Sequence, residues 1–492
     1  MSYFNAAAFP FPMHSITIWQ KGRILQDECF GMFCKDEPHR MFSITKVFTA
    51  LAIGALISEN RLSFDDPVIQ YFPEYTPADP HPYLAAMTLK DMLGMRTCYA
   101  STTYKINMKT NWVESFFTTT PDHRPGMIFK YDTSSAHTMA ALVKKISGKG
   151  ILDYLREVYL DALGFSAEAH VITDPFGSEI GGSGLVCTTQ DLLKVARLLL
   201  ALYNDTLDRD FPDICGCADS IYDRSFWKRY AAFIKDAMSY HTSNLHDGKT
   251  LDEKMGYGYQ FWMVRDGGIM MYGMGGQYVL IYPKQELIFV TTADTQMMGG
   301  GTQYILNEIH RVALELGVEP DPAPVNLGAT LPQTTPHPAL RATFPSRGRQ
   351  EKGTAASLQK TETGSSAQEP EIAIAVNPAL FGSWKLQPNK SGFTALELNE
   401  NELVLTSEEY RFVFPYGLDT PTKTRDQKYR QTIYTQGFPQ KDGSLYLYAQ
   451  ILDEYVGNMH FVLNVKDSRP TLYIRKIEET FFGEFNGFFE GV

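Results

Sequence analysis

The stretch Phe42-Ser43-Ile44-Thr45-Lys46-Val47-Phe48-Thr49-Ala50 opens a run to about Asn60 that contains no proline and, before Glu59, no charge except Lys46. Val47, Leu51 and Ile53 through Ile57 supply apolar positions, so the run reads as a helix that is buried rather than amphipathic. Ser43 and Lys46 stand at i and i+3, neighbours on one helix face. A hydroxyl is a poor nucleophile at neutral pH and needs an adjacent base. A lysine in apolar surroundings loses its preference for the charged form, which brings its pKa toward the working pH. If Ser43 opens the helix, the positive dipole end also favours an oxyanion there. The S-x-x-K pattern occurs three times, at Ser43, at Ser225-Phe226-Trp227-Lys228 and at Ser357-Leu358-Gln359-Lys360. The second lies in a charged stretch and the third in a polar one, so only the first offers the surroundings the chemistry requires.

Working outward, Ser15–Trp19 and Arg23–Leu25 flank Lys21-Gly22 and read as a hairpin. Residues 64–235 read as mostly helical, with Leu192–Leu202 the clearest example. Tyr257–Val264, Ile269–Tyr272, Tyr278–Tyr282 and Leu287–Val290 read as successive strands, with turns at Gly267-Gly268 and Pro283-Lys284, and a helix follows from about Thr302 to Leu316. Short connections favour antiparallel pairing, and the N-terminal hairpin can join the later strands in one sheet. The expected fold class is α/β (α+β): an antiparallel sheet flanked by helices, with a helical subdomain.

The chain divides by composition. Residues 1–317 form the first domain, 318–375 a Pro-, Ser- and Thr-rich linker, and 376–492 an all-β, barrel-like domain whose strands include Phe393–Leu398, Val456–Val465 and Thr471–Arg475. A formal net charge of -11 gives no footprint for nucleic acid. No apolar stretch is long enough to span a bilayer, and Met1-Ser2-Tyr3-Phe4-Asn5 does not read as a signal peptide, so no membrane association and a cytoplasmic location are expected. Cys29, Cys34, Cys98, Cys187, Cys215 and Cys217 are irregularly spaced and read as free thiols; no metal site and no cofactor are indicated. His39, beside Asp36-Glu37-Pro38, reads as part of a surface loop.

Around Ser43 the sequence resembles the serine β-lactamase-related family, which includes class C β-lactamases, DD-peptidases, esterases and 6-aminohexanoate-dimer hydrolase. The carriers are Phe42–Ala50, then Leu62-Ser63-Phe64-Asp65-Asp66-Pro67-Val68-Ile69-Gln70-Tyr71-Phe72-Pro73, which is similar to the family's L-x-L-D-D-P-V-x-x-Y-x-P. In the family's order follow Met87–Leu93, Pro125-Gly126 with Tyr131-Asp132-Thr133-Ser134-Ser135, the glycine-rich Gly181–Leu185 and Tyr272–Tyr278. The resemblance covers residues 15–316. It implies that Ser43 attacks a carbonyl to form an acyl-enzyme, that Lys46 helps deprotonate it, and that Tyr131, ionising more easily beside an ammonium, shares a proton with Lys46 and protonates the leaving group. It implies an oxyanion hole from the backbone N–H groups of Ser43 and Gln277, and substrate contacts from Thr133, Met274, Gly275, Gly276 and Gln277.

Two positions depart from the family's pattern. Thr133 stands where the family has the asparagine of Y-x-N, and Met274 where it has a lysine or histidine. Methionine cannot bind a carboxylate, and threonine offers a single donor. These losses point away from β-lactam and peptidoglycan substrates toward an ester or a small amide, with Met274, Tyr272 and Tyr278 shaping an apolar pocket. An acyltransferase would use the same acyl-enzyme with another acceptor, and a non-catalytic binding protein could keep the fold. The C-terminal domain is expected to shape access to the cleft or to mediate self-association into a homo-oligomer.

Overall fold

The computed structural model describes residues 3–6, 9–31, 36–106, 108–215, 222–244, 247–248, 250–296, 301–320, 376–440, 443–466, 468–477 and 482–492. The linker expected at 318–375 lies outside them from 321 onward, as do Cys34, Cys217, the side chain of Cys215 and the Ser357–Lys360 pattern. Among the described residues, Cys29, Cys98 and Cys187 form no disulfide. Met1–Pro320 and Val376–Val492 form one compact unit.

The hairpin reads as expected but longer: β1 (Met13–Gln20) and β2 (Arg23–Cys29) flank Lys21 and Gly22, both at positive φ (46° and 84°). Two such residues make the tight turn that matches strand twist. Short strands β3 (His39–Arg40), β4 (His170–Val171) and β5 (Leu185–Cys187) form a small separate sheet that no alternation announces. The main sheet is completed by β6 (Trp262–Met263), β7 (Ile269–Gly273), β8 (Gln277–Tyr282) and β9 (Leu287–Ala293), in the order β2-β1-β9-β8-β7-β6. Every pairing in it is antiparallel. The strand expected over Tyr257–Val264 shrinks to two residues because Gln260 takes φ 67° and turns the chain.

Period-two alternation assigns the sheet's faces. On β8, Val279 and Ile281 face the core around the Thr45–Ser58 helix, whereas Tyr278, Leu280 and Tyr282 face the core under the Gly301–Glu315 helix. On β9, Ile288 and Val290 take the first side, Leu287 and Phe289 the second. That second helix presents Ile305, Leu306, Ile309, Val312 and Ala313, the spacing of one helical face. The Thr45–Ser58 helix lies in the middle of the other layer, and every residue of it except Ile57 is buried. Against it pack Thr133–Ser147, Ile151–Leu155 and Arg224–Ala237, and Thr189–Tyr203 packs on the last of these and on the sheet.

The C-terminal region is all strand. A four-stranded meander runs β10 (Gly382–Lys385), β11 (Phe393–Leu398), β12 (Glu402–Ser407) and β13 (Arg411–Pro415). A six-stranded one runs β14 (Thr422–Arg425), β15 (Thr432–Pro439), β16 (Leu445–Leu452), β17 (Val456–Lys466), β18 (Arg469–Ile477) and β19 (Gly487–Glu490). Bridges at Leu386–Gly491 and Gly417–Gln436 join the two meanders at both edges, giving a barrel-like body.

The Thr189–Tyr203 helix is held at its start by a reciprocal cap, in which Thr188 Oγ1 accepts from the Asp191 amide (3.1 Å) and the Asp191 carboxylate accepts from the Thr188 amide (3.1 Å). Thr188→Ala removes this cap and is expected to cost about 1 kcal/mol, read as a lower melting temperature, with Thr188→Ser near wild type.

Candidate active site

Ser43 sits in a single 3-10 turn, Phe42–Ile44, that runs directly into the Thr45–Ser58 helix. Phe42 takes φ 47°, left-handed backbone that a bulky side chain avoids. Such a conformation costs on the order of 1–3 kcal/mol and persists only where its surroundings over-determine it. The turn is held from several sides: the Met41 amide donates to Leu185 O (2.8 Å), Thr45 Oγ1 donates to Phe42 O (2.6 Å), and the Leu185 amide donates to Thr45 Oγ1 (2.8 Å). Strand β7 comes close because residue 273 is glycine; a Cβ there would lie 2.2 Å from Met41 O.

Lys46 is buried, with Nζ 3.0 Å from Ser43 Oγ and 2.6 Å from Gly182 O, to which it donates. Its pKa falls to about 7. Burial is the main cause; the Asp132 carboxylate pulls the other way, and repulsion from Lys105 adds to the lowering. Asp132 is itself buried and pushed up to about 6 by desolvation, although the Ser134 side chain and amide stabilise its charge. The reason for its placement is local: Asp132 caps the Thr133–Ser147 helix, accepting from the Ser134 amide (2.8 Å).

Tyr131 precedes this cap, and the structure brings it to the other two. Lys46 Nζ lies 4.9 Å from the centre of its ring. Burial raises the phenol well above its usual value, and a hydrogen bond with Ser43 only partly offsets this. The easier ionisation expected beside an ammonium therefore does not hold: Lys46 is itself shifted toward the neutral amine. From Tyr131 an aromatic series leads away from the site, through Trp262 (5.5 Å between ring centres) and Tyr272 (5.9 Å) to Tyr278 (5.4 Å). Tyr278 is fully buried behind Tyr272, so Tyr272 and Met274 are the residues of that trio with exposed surface.

The remaining expected residues fall in two places. Thr133 packs against the loop that supplies Gly182: a Cβ at position 182 would lie 2.3 Å from Thr133 Cγ2 and 3.0 Å from Thr133 O. Met274, Gly275 and Gly276 form the turn between β7 and β8, with the two glycines at φ 88° and 99°. Gln277 is buried, and its side chain donates to Met274 O (3.0 Å) and Ala293 O (2.8 Å), fixing the turn from behind. That side chain is committed to the fold. The other described S-x-x-K pair is exposed on the Arg224–Ala237 helix, with Ser225 accepting from Arg229. His39 is not in a surface loop. It is buried in β3, and loss of solvent brings its imidazole down to about 4. Sequence reasoning gave no part to Asp132, Gly182 O, Lys105 or the backbone of Phe42; the only signal was the D-x-S cap after Tyr131 and the run of glycines at 181–184.

A family model described as Beta-lactamase matches residues 11–303, more than half of the chain. The chain belongs to the beta-lactamase family. Among proteins of known activity, this beta-lactamase-family chain is similar to the 6-aminohexanoate-dimer hydrolase of Paenarthrobacter ureafaciens, at 24% identity over 183 residues, covering 34% of this chain and 47% of that protein. It thus spans about half the length of that relative. Among solved structures, an octameric penicillin-binding protein homologue from Pyrococcus abyssi is similar over 98% of this chain and 96% of its own, at 16% identity and a TM-score of 0.44. A beta-lactamase from Mycobacterium bovis is similar over 63% of this chain and 96% of its own, at 17% identity and a TM-score of 0.43. Among the described residues no helix is long and apolar enough to cross a membrane.

Gly182→Ala tests the packing around the amine. The added methyl collides with Thr133 and sits 3.5 Å from Lys46 Nζ. Because the clash is with Thr133 at the start of its helix and the Lys46 contact is an ordinary one, the variant is expected to show a clearly lower melting temperature than wild type.

Proposed function

We propose that the protein is a serine hydrolase that cleaves an ester or a small amide through an acyl-enzyme on Ser43. The observation that carries this reading is the buried Lys46 amine, 3.0 Å from Ser43 Oγ with a pKa of about 7, since it can take up a proton at working pH. Neutral Nζ accepts the Ser43 proton as Oγ attacks the carbonyl carbon. The backbone N–H groups of Ser43 and Gln277 receive the oxyanion. Tyr131, kept protonated by its burial, passes its proton to the leaving oxygen or nitrogen and recovers one from the Lys46 ammonium. Water then repeats the sequence in reverse, attacking the ester carbon and releasing the acid, and Ser43 regains its proton.

Substrate class follows from the walls. Met274, Gly275, Gly276 and Thr133 line the cleft in this reading, and Met274 with Tyr272 favours an uncharged, apolar group. The likeness to a hydrolase of 6-aminohexanoate dimer supports a small linear amide within the same class. An acceptor other than water would make the protein an acyltransferase, and product analysis with an added alcohol or amine distinguishes the two.

Turnover of p-nitrophenyl esters of increasing chain length is expected from wild type and from no preparation of Ser43→Ala; equal rates from both would end the proposal. The pH profile has a defined sign. Lys46 accepts a proton only when neutral, so kcat/KM rises with pH through a single limb near 7, the value set by its burial. Lys46→Ala lowers kcat/KM by roughly 10²- to 10⁴-fold and removes that limb.

A further inference from the structure

One hairpin of the C-terminal region touches both sides of the site. Leu452 at the end of β16 and Val456 at the start of β17, with Tyr434 of β15, share a buried cluster with Phe42, the residue before the nucleophile. Among the described residues, Phe42 is the only member of that cluster from outside the C-terminal region. Between Leu452 and Val456, Asp453 O accepts from the Arg40 amide (3.0 Å), and the Arg40 guanidinium lies over both Phe42 (5.2 Å) and Tyr455 (5.7 Å). On its other side the same hairpin grips the segment after β9. Asn458 Nδ2 and Gln450 Nε2 donate to the buried Asp294 carboxylate (2.6 and 3.3 Å), and Gln296 Nε2 donates to Val456 O (2.9 Å). That segment in turn fixes the β7–β8 turn, since the Thr295 amide donates to Gly275 O (3.0 Å).

We infer that the β16–β17 hairpin is a positioning clamp for the catalytic serine: it packs the Phe42 side chain beside the nucleophile and ties the nucleophile turn to the β7–β8 turn opposite. This rests on Ser43 being the nucleophile. Adhesion between two bodies would need only buried area at any place. Here, besides the outlying pairs of Glu454 with His170 and of Lys423 and Tyr434 with Glu37, the hairpin meets Arg40 and Phe42, within three residues of Ser43, and the segment bonded to Gly275. A left-handed phenylalanine is unfavourable by itself; Leu185 and Thr45 restrain its backbone, while Tyr434, Leu452 and Val456 from the C-terminal region and the Arg40 guanidinium pack its side chain. The role differs from gating the cleft: a gate changes which substrates enter, whereas the clamp changes how well Oγ is aimed once they have entered.

The test is kinetic, on the full-length chain. Ser43 labelling by a fluorophosphonate probe and turnover of a p-nitrophenyl ester are compared for wild type, Val456→Ala and Val456→Ile, with melting temperatures recorded. Val456→Ala is expected to lower the labelling rate and kcat by about tenfold or more with KM nearly unchanged, because small misplacement of a reacting group is costly. Val456→Ile keeps the contact and restores most of the rate. Phe42→Ala combined with Val456→Ala should be no slower than the slower single variant, since both remove one contact. If Val456→Ala melts below the assay temperature, Gln296→Ala takes its place and shows a smaller loss, again in kcat alone. A wild-type labelling rate in Val456→Ala, or a change confined to KM, overturns the clamp and leaves the nucleophile standing. Wild type that takes no label at Ser43 overturns both.

Discussion

A primary amine kept out of water sets the terms for the rest of this molecule. Lys46 lies on a helix buried on all sides, where an ammonium would be costly to hold without compensation. The protein answers partly with the Asp132 carboxylate and partly with the Gly182 carbonyl, and neither removes the cost of burial fully. The result is an amine poised between its two states, which is what proton exchange with a neighbouring hydroxyl requires. Asp132 is offered as a helix cap, and Gly182 reaches the amine only because it lacks a side chain, so elements that look purely architectural also set the electrostatics.

The same economy shows in the aromatic side of the cleft. Tyr131 is buried enough to stay a phenol, and its ring is backed by Trp262 and Tyr272. A base that is neutral and an acid that is protonated at the same pH are a matched pair, and here both follow from exclusion of water. With Met274 in place of a cation, the turn beyond β7 offers no charge to a carboxylate.

How much of this was legible in the sequence varies with how local each determinant is. The helix carrying Ser43 and Lys46 could be read directly, because an uncharged run interrupted by one lysine is a local pattern. The sheet could be read too, since β7, β8 and β9 keep their period-two alternation. Tyr131 came only from the order of motifs, as one tyrosine looks like another until a fold brings it to a lysine far away. Backbone conformation was least legible. Nothing in the letters assigns positive φ to Phe42 or Gln260, and the latter cut short an expected strand. His39 failed for a related reason: its charged neighbours argued for solvent, whereas pairing of β3 with β5 draws it inside. The clamp from the β16–β17 hairpin depends on residues some four hundred positions from Ser43, a distance over which composition carries no information.

The strand order has a consequence for biosynthesis. β1 pairs with β9, so Thr17 waits for Val290, and until then β1, buried along nearly its whole length in the finished sheet, has an open edge. At roughly 5–20 residues per second of translation, that interval is tens of seconds, during which the hairpin can meet strands of other nascent chains. Loop closure over so long a separation also makes the sheet a late event in folding. Slow sheet closure thus sets how long that edge stays open during synthesis.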